Sequence, residues 1–410
     1  GPVFVSIGMR TSWLGTNMDA RTQSSHSLRA SQKACLLDRE EFIERQVAFQ
    51  LRIGDALPEL NLREVVRNNA AGRINLTYHN PADMSFVPED RGRELAFTAP
   101  DDWQEALSER HGTKPALTIR ALRNASFLNA VYSLGITAPV VVDMQDAVRK
   151  PNVFPTFQYN RQAGAANAIL WPHRRVHNIG AAEFCKAPDP AEPAFEDKQP
   201  IVFWRGSLRG FSRLNGDFTN IRSVIRNFQT GTTDKETLLA HLQTVPRYAF
   251  VSRYFGEAGF DIGFKQPPEL ANYLEIPEIA RFEVPFAGPN RQMQARYLVS
   301  IQGTDVGSSF GWQLGTNSIL LKEEYGWEVF FDCHFLPWEH FVPLAADFSD
   351  LPEKLAWCER NAEACRQMAR NRHLAVGLLL EAKTRLEALR RVVLRYNEFY
   401  ARWSGSPKPR

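Results

Sequence analysis

Residues 201–210 read IVFWRGSLRG, an apolar run that ends in a basic turn containing two glycines. A short continuous apolar run bounded by turn residues is typical of a strand buried on both faces of a parallel sheet. Helical segments separate such runs along the chain, and this alternation predicts an α/β fold with parallel sheets. The other runs of this kind are PVVVDM (139–144), AILWP (168–172), ARYLVSIQG (295–303), NSILLKEE (317–324) and HFVPLAA (340–346).

The chain has 410 residues, which favours two domains at roughly 100–200 residues each. Residues 187–200 (APDPAEPAFEDKQP) contain four prolines and alternate in charge, a composition that indicates a linker. We therefore place one domain at 1–187 and a second at 188–384. An apolar helical stripe continues through 385–410, and Gly377 is predicted to separate this last helix from the one before it.

Composition limits the classes of partner. The net charge of +3 and the pI of about 8.6 do not suggest a nucleic-acid-binding protein, but they allow local contact with an anionic ligand or a membrane surface. No apolar run approaches the roughly 20 residues that span a bilayer. The five cysteines are scattered and lack C-x-x-C spacing, which argues against a metal knuckle or a disulfide framework and weakly favours a reducing compartment.

Arg205, Gly206 and Ser207 form the first part of the basic turn. Glycine lets backbone N–H groups approach an anion, serine adds a hydroxyl donor, and arginine offers a bidentate fork. These residue types fit a phosphate site, but they are equally typical of a solvated surface loop, and the string matches no standard phosphate motif. Taken alone, the residue types favour the surface loop.

A second candidate is the segment QGTDVGSSFGWQLGTNS (302–318), rich in glycine and serine, between two predicted strands. The backbone amides and hydroxyls of Gly307, Ser308 and Ser309 suit the wrapping of a nucleotide, although an ordinary glycine-rich connection has the same composition. Its spacing is neither the G-x-G-x-x-G nor the Walker pattern, so neither a Rossmann dehydrogenase nor a P-loop NTPase is supported.

Two aspartates stand where the run 139–144 meets a loop. A carboxylate there suits a general base at a cleft, whereas a helix cap or a solvated turn is the commoner use of aspartate. Asp146 lies further outside the apolar run than Asp143 and is the better candidate for a base. His340, flanked by aromatic residues in LPWEHFVPL (336–344), is predicted to be structural.

Taken in order, these stretches resemble glycosyltransferase family 90, which includes capsule-associated, lipopolysaccharide-modifying and animal protein O-glucosyltransferases. The resemblance covers residues 201–370 well and 139–175 loosely. The family pattern places a strand ending in RGS before a KY-L---G strand, a GS step, a W--FF---L-PW-HY-PV segment and an acidic DLSDL helix lead-in. The corresponding residues here are Arg205-Gly206-Ser207, ARYLVSIQG, Asn317-Ser318, WEVFFDCHFLPWEHFVPL (327–344) and DFSDLPEKLAW (347–357).

The resemblance implies a GT-B fold: two Rossmann-like domains facing a cleft, with a C-terminal helix crossing back to the N-terminal domain. It also implies a metal-independent, inverting transfer from a UDP-sugar, glucose or xylose favoured, to a hydroxyl group, with no cofactor beyond the donor. Without the animal enzymes' disulfides and retention tail, we favour a bacterial protein at the cytoplasm or the cytoplasmic face of the inner membrane. Its expected acceptor is a surface glycan or glycolipid such as lipopolysaccharide core or capsule.

Several site residues are carried over from this resemblance. DMQDAVRKP occupies the place of the acidic segment that supplies the family's catalytic base, and Asp146 matches the acidic position. The nucleotide contacts implied for this chain are Arg205, Gly206, Ser207, Arg222, Gly307, Ser308, Ser309, Glu323 and Glu324.

The chain departs from the family pattern at two positions. Ser309 stands where an arginine helps to hold the diphosphate, and Gly326 stands where an acidic residue precedes the tryptophan. Glu323 or Glu324 is expected to reach the ribose instead. These departures keep two alternatives open, which are a non-catalytic nucleotide- or glycan-binding module and, more weakly, another nucleotide-dependent transferase.

Overall fold

In the computed structural model, residues 38–54, 57–69, 73, 75–95, 119–173, 185–324 and 326–405 are described. From Arg39 onward, these residues belong to one compact unit. The helices are α1 (Arg39–Gln50), α2 (Leu62–Asn69), α3 (Arg91–Glu94), α4 (Ile119–Ser133), α5 (Ile221–Gln229), α6 (Lys235–Gln243), α7 (Pro246–Tyr254), α8 (Pro277–Ala280), α9 (Pro289–Gln292), α10 (Ser309–Gln313), α11 (Leu351–Arg360), α12 (Ala362–Leu380) and α13 (Ala382–Gly405).

The strands are short and most are buried. They are β1 (Leu51–Arg52), β2 (Thr77–Asn80), β3 (Ser85–Val87), β4 (Val140–Val142), β5 (Thr156–Gln158), β6 (Arg161–Gln162), β7 (Ala168–Leu170), β8 (Gln199–Gly206), β9 (Phe211–Ser212), β10 (Thr219–Asn220), β11 (Phe260–Phe264), β12 (Ala295–Ser300), β13 (Ile319–Glu323), β14 (Trp327–Glu328) and β15 (Val342–Leu344).

Two large sheets contain eleven of these strands, and the remaining four form two antiparallel pairs, β9 with β10 and β6 with β14. The first sheet has the order β1-β7-β5-β4-β2-β3, with β4, β5 and β7 parallel and the outer pairings antiparallel. The second has the order β11-β8-β12-β13-β15 and is parallel throughout. The prediction of a mixed α/β protein with parallel sheets is therefore confirmed, and each apolar run named from the sequence forms one of these strands.

Each sheet has its own hydrophobic core. Helices α5, α6 and α7 cover the second sheet, where Trp204 packs against Phe250 of α7 and against Phe264 of β11. The first sheet is covered by α4 and by the last helix, α13, whose Val392 and Tyr396 belong to its core.

Polar contacts fix the last helix on the first sheet. The Tyr396 hydroxyl donates to the carbonyl oxygen of Pro139 at 2.8 Å, and the Asn397 side chain accepts from the N–H groups of Thr137 and Ala138. On the adjacent helix α1, Glu44 pairs with Arg391 of α13 at 2.7 Å. The chain thus returns to the first sheet after completing the second.

The helix boundary predicted at Gly377 is wrong. Helix α12 continues through Gly377 to Leu380, and the break falls at Glu381, whose backbone is extended (φ −69°, ψ 112°). A glycine inside a helix costs only about 1 kcal/mol relative to alanine, and packing of the remaining turn outweighs that cost. Leu379, in that turn, is fully buried.

The segment 187–200, predicted as a linker, is packed against the second sheet. Glu192 and Lys198 form an ion pair at 2.5 Å, and both side chains are completely buried. The Glu192 carboxylate also accepts two hydrogen bonds of 3.0 Å from the N–H of Asn317. The prolines therefore shape a fixed connection, because a mobile one could not hold a buried charge pair.

The described cysteines are free thiols at positions 185, 333, 358 and 365. Cys358 and Cys365 are buried, as their place on the apolar helix stripe predicts. Within the described ranges, no helix combines the length and apolar character that crossing a membrane requires.

Candidate functional site

The carboxyl ends of the parallel strands in the two large sheets meet at one set of hydrogen bonds. Asp305, in the loop after β12, forms a hydrogen bond of 2.6 Å with the Tyr159 hydroxyl and accepts one of 2.8 Å from the Asn160 side-chain amide. Tyr159 and Asn160 directly follow β5 of the first sheet. Because ligands bind outside the carboxyl ends of parallel strands, this junction marks the candidate site.

Asp146 lies at this junction, in the turn after β4. Its carboxylate accepts from Arg123 of α4 at 2.7 Å and from the Tyr159 hydroxyl at 2.5 Å. About half of its side chain (51 %) is exposed, so the carboxylate is open to solvent. Asp143, by contrast, is fully buried and paired with Arg73 at 2.7 Å. Only Asp146 therefore combines a cleft position with access for a reacting hydroxyl group.

The RGS turn comprises residues 205–210, at the end of β8 and directly after it, and it contains two closely packed glycines. A Cβ atom at Gly206 would lie 2.6 Å from the ring of Trp204, and one at Gly210 would lie 2.9 Å from the carbonyl oxygen of Gly303. Gly210 also has a φ of +128°, which side chains rarely adopt. The turn is thereby pressed against the loop after β12.

Arg247 of α7 joins these two loops. Its guanidinium donates to the carbonyl oxygens of Ser207 at 2.8 Å and of Gln302 at 2.9 Å. Burial lowers the pKa of Arg247 to about 10, which leaves it a cation near neutral pH. These hydrogen bonds hold the carbonyl groups of both loops in place.

Arg205 is directed away from the carboxyl edge. Its guanidinium forms an ion pair with Asp261 of β11 and lies 4.7 Å above the Phe203 ring. In the sheet register Arg205 is opposite Gly263, and Asp261 is opposite Phe203, two positions closer to the amino end. The side chain therefore extends back along the sheet.

The other predicted nucleotide contacts are spread over this edge. Ser207 accepts from Arg209 at 3.1 Å, and exposed Arg222 lies near Tyr273 and Glu269, beside the RGS turn. In the loop after β12, Gly307 is closely packed, since a Cβ there would lie 2.5 Å from the Ser300 hydroxyl. Exposed Ser308 and half-buried Ser309 begin helix α10.

Glu323 and Glu324 differ sharply in environment. Glu323 is fully buried and accepts from the N–H and the side-chain amide of Gln302 at 3.0 and 2.7 Å. Burial is the main cause that raises its pKa to about 7, against lowering by Gln302 and by the charges of Arg213 and Arg247. Glu324 is exposed. Of the two, Glu324 is the carboxylate accessible to a ligand.

Sequence reasoning missed Arg149, which occupies an aromatic cluster between the sheets. Its guanidinium lies 4.5 Å from the Phe211 ring, 4.2 Å from the Phe218 ring and 5.2 Å from the Trp327 ring. Burial lowers its pKa, and the nearby charge of Arg213 lowers it further. In the part of the chain that the structure describes, neither guanidinium has an ion-pair partner, which leaves two cations facing one cleft.

A cavity of about 290 Å³ adjoins Arg149, between the segment 148–152 and the turn 162–166. The Nε atom of Arg149 and the side-chain nitrogen of Gln158 are buried and find no hydrogen-bond partner among the described residues, and both residues line the cavity. Such orphaned donors are uncommon and suit a ligand rich in acceptor oxygens.

His340 is structural, as the sequence suggests. Its Nδ1 atom accepts from the N–H of Leu336 at 3.0 Å, and burial lowers its pKa to about 4. The neutral imidazole thus closes a turn in the core.

The structure brings Asp146, the RGS turn, the 302–308 loop and Glu323 to one junction. It leaves the head group of Arg205 outside it and adds Tyr159, Asp305 and Arg149, which sequence reasoning did not select. Asp305 lies within the glycine-rich segment, and Arg149 within DMQDAVRKP, so both were near recognised motifs. Their pairing depends on contacts between the two sheets, which no local pattern records.

Comparison with known proteins agrees with the order of motifs. Residues 284–383 match the family model described as glycosyl transferase family 90, which confirms the family predicted from the sequence. The matched region begins beside β12 and extends into the start of α13, so it covers the 302–318 loop and Glu323.

Three relatives illustrate the similarity. The chain is 29% identical over 126 residues to uncharacterized protein 035R of Invertebrate iridescent virus 3, covering 30% of this chain and 12% of that protein. It is 29% identical to protein O-glucosyltransferase 3 of Rattus norvegicus, covering 25% and 20%, respectively. It is 29% identical to O-glucosyltransferase LpsA of Dichelobacter nodosus, covering 27% and 35%. The similarity thus spans 35% or less of the length of each of these relatives.

Proposed function

We propose that this chain, with its family 90 region, is a glycosyltransferase that moves a sugar with inversion from a UDP-sugar to an acceptor hydroxyl group. The observation that carries the proposal is the position of Asp146. Its carboxylate is half exposed, and Arg149 and Arg213, for which the described residues supply no ion-pair partner, lie near Asp305 and Glu323 at the same junction. A base and an anion site on opposite sides of one cleft are what direct displacement of a nucleoside diphosphate requires.

Asp146 serves as the general base. The acceptor hydroxyl gains nucleophilic strength as it loses its proton, and a carboxylate within hydrogen-bond reach accepts that proton during attack on the anomeric carbon. The hydrogen bonds from Arg123 and Tyr159 hold the carboxylate in one orientation. The new bond forms on the face opposite the leaving group, so the anomeric configuration inverts.

Arg149 and Arg213 stabilise the leaving UDP. The diphosphate gains negative charge as the glycosidic bond breaks, and fixed cations in a partly dry cleft favour that state. Ser309, where the family has an arginine, has no charge to offer, and the head group of Arg205 is engaged by Asp261. The two arginines of the cleft take the place of the missing one, together with the Ser207 and Ser308 hydroxyls.

The cavity beside Arg149 receives the acceptor. Its orphaned donors at Arg149 and Gln158 suit the hydroxyl oxygens of a glycan. We propose glucose or xylose as the transferred sugar and a surface glycan, such as lipopolysaccharide core or capsule, as the acceptor. The names of the rat and bacterial relatives, both O-glucosyltransferases, favour glucose.

We further propose that the two sheets belong to the two Rossmann-like domains of a GT-B fold. The domains would comprise 1–187 and 188–384, with the helix from 385 returning to the first. The meeting of both carboxyl edges at Asp305 and the packing of α13 on the first sheet support this arrangement.

A screen of UDP-sugars with the full chain tests the function. Thermal unfolding with UDP-glucose, UDP-xylose and UDP-galactose identifies the donor, because binding stabilises by RT ln(1 + [L]/Kd). Release of UDP from that donor, slowly into water and faster with acceptor glycans, is the expected result. Absence of UDP binding by calorimetry at millimolar ligand would refute the proposal.

Ser309 and Gly326, which differ from the family pattern, favour one second candidate, a non-catalytic nucleotide- or glycan-binding module. Such a module would show the same thermal shift with a UDP-sugar but release no UDP. The product assay thus separates the two functions.

A further inference from the structure

A single hydroxyl group joins two carboxyl groups at the junction of the sheets. The Tyr159 oxygen lies 2.5 Å from an Asp146 oxygen and 2.6 Å from an Asp305 oxygen. Both distances are typical of strong hydrogen bonds involving an ionised partner. The chain Asp146–Tyr159–Asp305 therefore crosses from the first sheet to the loop after β12.

The geometry of these two hydrogen bonds fixes how many protons the two carboxyl groups hold. A phenol carries one hydrogen and donates it to one acceptor at a time. Two hydrogen bonds at the Tyr159 oxygen thus require a second hydrogen, carried by one of the two carboxyl groups. The pair of aspartates holds one proton when both bonds are formed.

The environment assigns this proton to Asp305. Asp305 is only 8 % exposed, and burial is the main cause that raises its pKa. The charge of Asp146 adds to this effect, and the two together outweigh the lowering by the hydrogen bonds with Tyr159 and with the backbone of Val306 and Ala147. Asp146 is half exposed and paired with Arg123, a setting that favours the charged form. The charged groups that face Asp305 from the surrounding elements are Asp146, Arg149 and Arg247, and the phenol of Tyr159 is the other titratable neighbour.

We propose that Asp305 is a positioning residue for Asp146: it retains a proton that it donates to Tyr159, so that Tyr159 donates to Asp146 and holds that carboxylate ionised and oriented. This inference rests on the proposed function, in which Asp146 is the base. During transfer, the proton of the acceptor hydroxyl passes to Asp146, and Asp305 keeps its own.

This relay, the hydrogen bonds from Asp305 through Tyr159 to Asp146, also connects the proposed base to the loop after β12. Val306 donates its N–H to the other Asp305 oxygen at 2.6 Å, so the carboxyl is fixed within the 302–308 loop. In the proposed function this loop lies on the donor side. The orientation of the base therefore depends on the position of the donor loop.

Three variants of the full chain test the relay: Asp305→Ala, Asp305→Asn and Tyr159→Phe. We expect Asp305→Ala and Tyr159→Phe each to lower kcat about tenfold or more, with the KM of the donor changed less than about twofold. Asp305→Asn is expected to restore most of the lost kcat, because its amide N–H replaces the carboxyl proton. Within the described ranges the Asn160 side-chain oxygen has no hydrogen-bond partner, and a flip of this amide would let it accept the second N–H of the side chain introduced by Asp305→Asn.

The double variant Asp305→Ala/Tyr159→Phe should be no slower than the slower single variant, because both changes break the same series of hydrogen bonds to Asp146. Additive losses, or an Asp305→Asn enzyme as slow as Asp305→Ala, would overturn the proposal. If Asp305→Ala does not fold, the comparison of Asp305→Asn with Tyr159→Phe decides in its place.

The pH profile supplies a readout that a purely structural role would not change. As pH rises, loss of the Asp305 proton lets Tyr159 turn towards either carboxylate, so kcat of the wild type is expected to fall. Asp305→Asn has no such proton to lose, and its profile should lack that alkaline fall. An unchanged alkaline limb in Asp305→Asn would contradict the assignment.

Infrared spectroscopy tests the shared proton without turnover. The wild-type minus Asp305→Asn difference spectrum near neutral pH should contain the carbonyl band of a protonated carboxyl group. If the wild type transfers no sugar from any donor, the proposed function fails, and this band still decides whether the proton is present. If transfer occurs but the band is absent, the relay alone is wrong.

Discussion

Arg205 and Asp261 lie on adjacent parallel strands and form an ion pair that draws the arginine of the RGS turn back over the sheet. Asp261 binds Arg291 as well, at 2.8 Å, so one carboxylate holds two arginines above Phe203. The most conspicuous cation of the turn is thereby used to stabilise the sheet.

We expect Arg205→Ala to lower stability by about 1–3 kcal/mol, because the mostly buried Asp261 loses one of its two charge partners. UDP affinity should change less than about twofold, since the guanidinium lies away from the cleft. Chemical denaturation and calorimetry measure the two effects. A large loss of UDP affinity with unchanged stability would show instead that Arg205 reaches the donor.

Asp146→Asn removes the proposed base while preserving the shape of the side chain. We expect transfer to fall by about 10²–10⁴-fold, the usual contribution of a general base, with UDP affinity maintained. The matched control is Asp143→Asn. Because Asp143 forms a buried ion pair with Arg73, we expect this variant to lose stability rather than to slow the chemical step specifically. Substantial turnover by Asp146→Asn would remove Asp146 as the base.

Arg149 and Arg213 should carry much of the affinity for the diphosphate. Substituting either by alanine is expected to raise the Kd for UDP about tenfold, and each variant should bind uridine as the wild type does. Arg370→Ala, on the exposed face of α12, provides a control with the same loss of charge. Equal effects on UDP and uridine would indicate altered packing of the aromatic cluster rather than a lost phosphate contact.

The buried pair Glu192–Lys198 makes segment 187–200 a structural element. Lys198→Met strands the Glu192 carboxylate without its partner, and we expect a loss of about 3–5 kcal/mol in unfolding free energy. Arg366→Met breaks the solvent-exposed pair with Glu196, and should cost about 1 kcal/mol or less. Similar losses for both variants would mean that the segment behaves as a loose linker.

Glu323 predicts a specific dependence of stability on pH. Its pKa of about 7 lies above the ordinary value of 4.5, so between these values the folded chain holds a proton that the unfolded chain has released. Stability conferred by the neutral carboxyl is therefore complete at low pH and is lost as pH rises through 7, by about 3 kcal/mol in total. Relative to Glu323→Gln, the wild type should lose stability across this window.

The exposed neighbour Glu324 provides the control for that measurement. Unfolding free energies of Glu324→Gln should follow those of the wild type across the same pH window, because the exposed Glu324 side chain takes no part in the buried contact between Glu323 and Gln302. If Glu323→Gln retains the wild-type decline, another group is responsible for it.

The sequence by itself predicted the six strands that form from continuous apolar runs, and it singled out Asp146, the residue that we propose as the base. Continuous apolar runs such as 139–144 and 295–303 are buried on both faces, so their strand structure follows from local composition. The end of such a run also locates a carboxyl edge, which is why Asp146 was selected over Asp143. The ordered motifs of the second half were specific enough to identify the family.

Only the tertiary structure decided which side chains share the cleft. The direction of Arg205 depends on the register of β8 against β11, and the pairing of Tyr159 with Asp305 joins residues 146 positions apart. The proline-rich segment 187–200 is held in place because Lys198 and Glu192 form a buried ion pair. Each of these outcomes depends on packing between elements that are distant in sequence. Burial raises the free-energy cost of an unpaired charge, and the distances in the folded chain decide which partner it finds. No local sequence pattern contains that information.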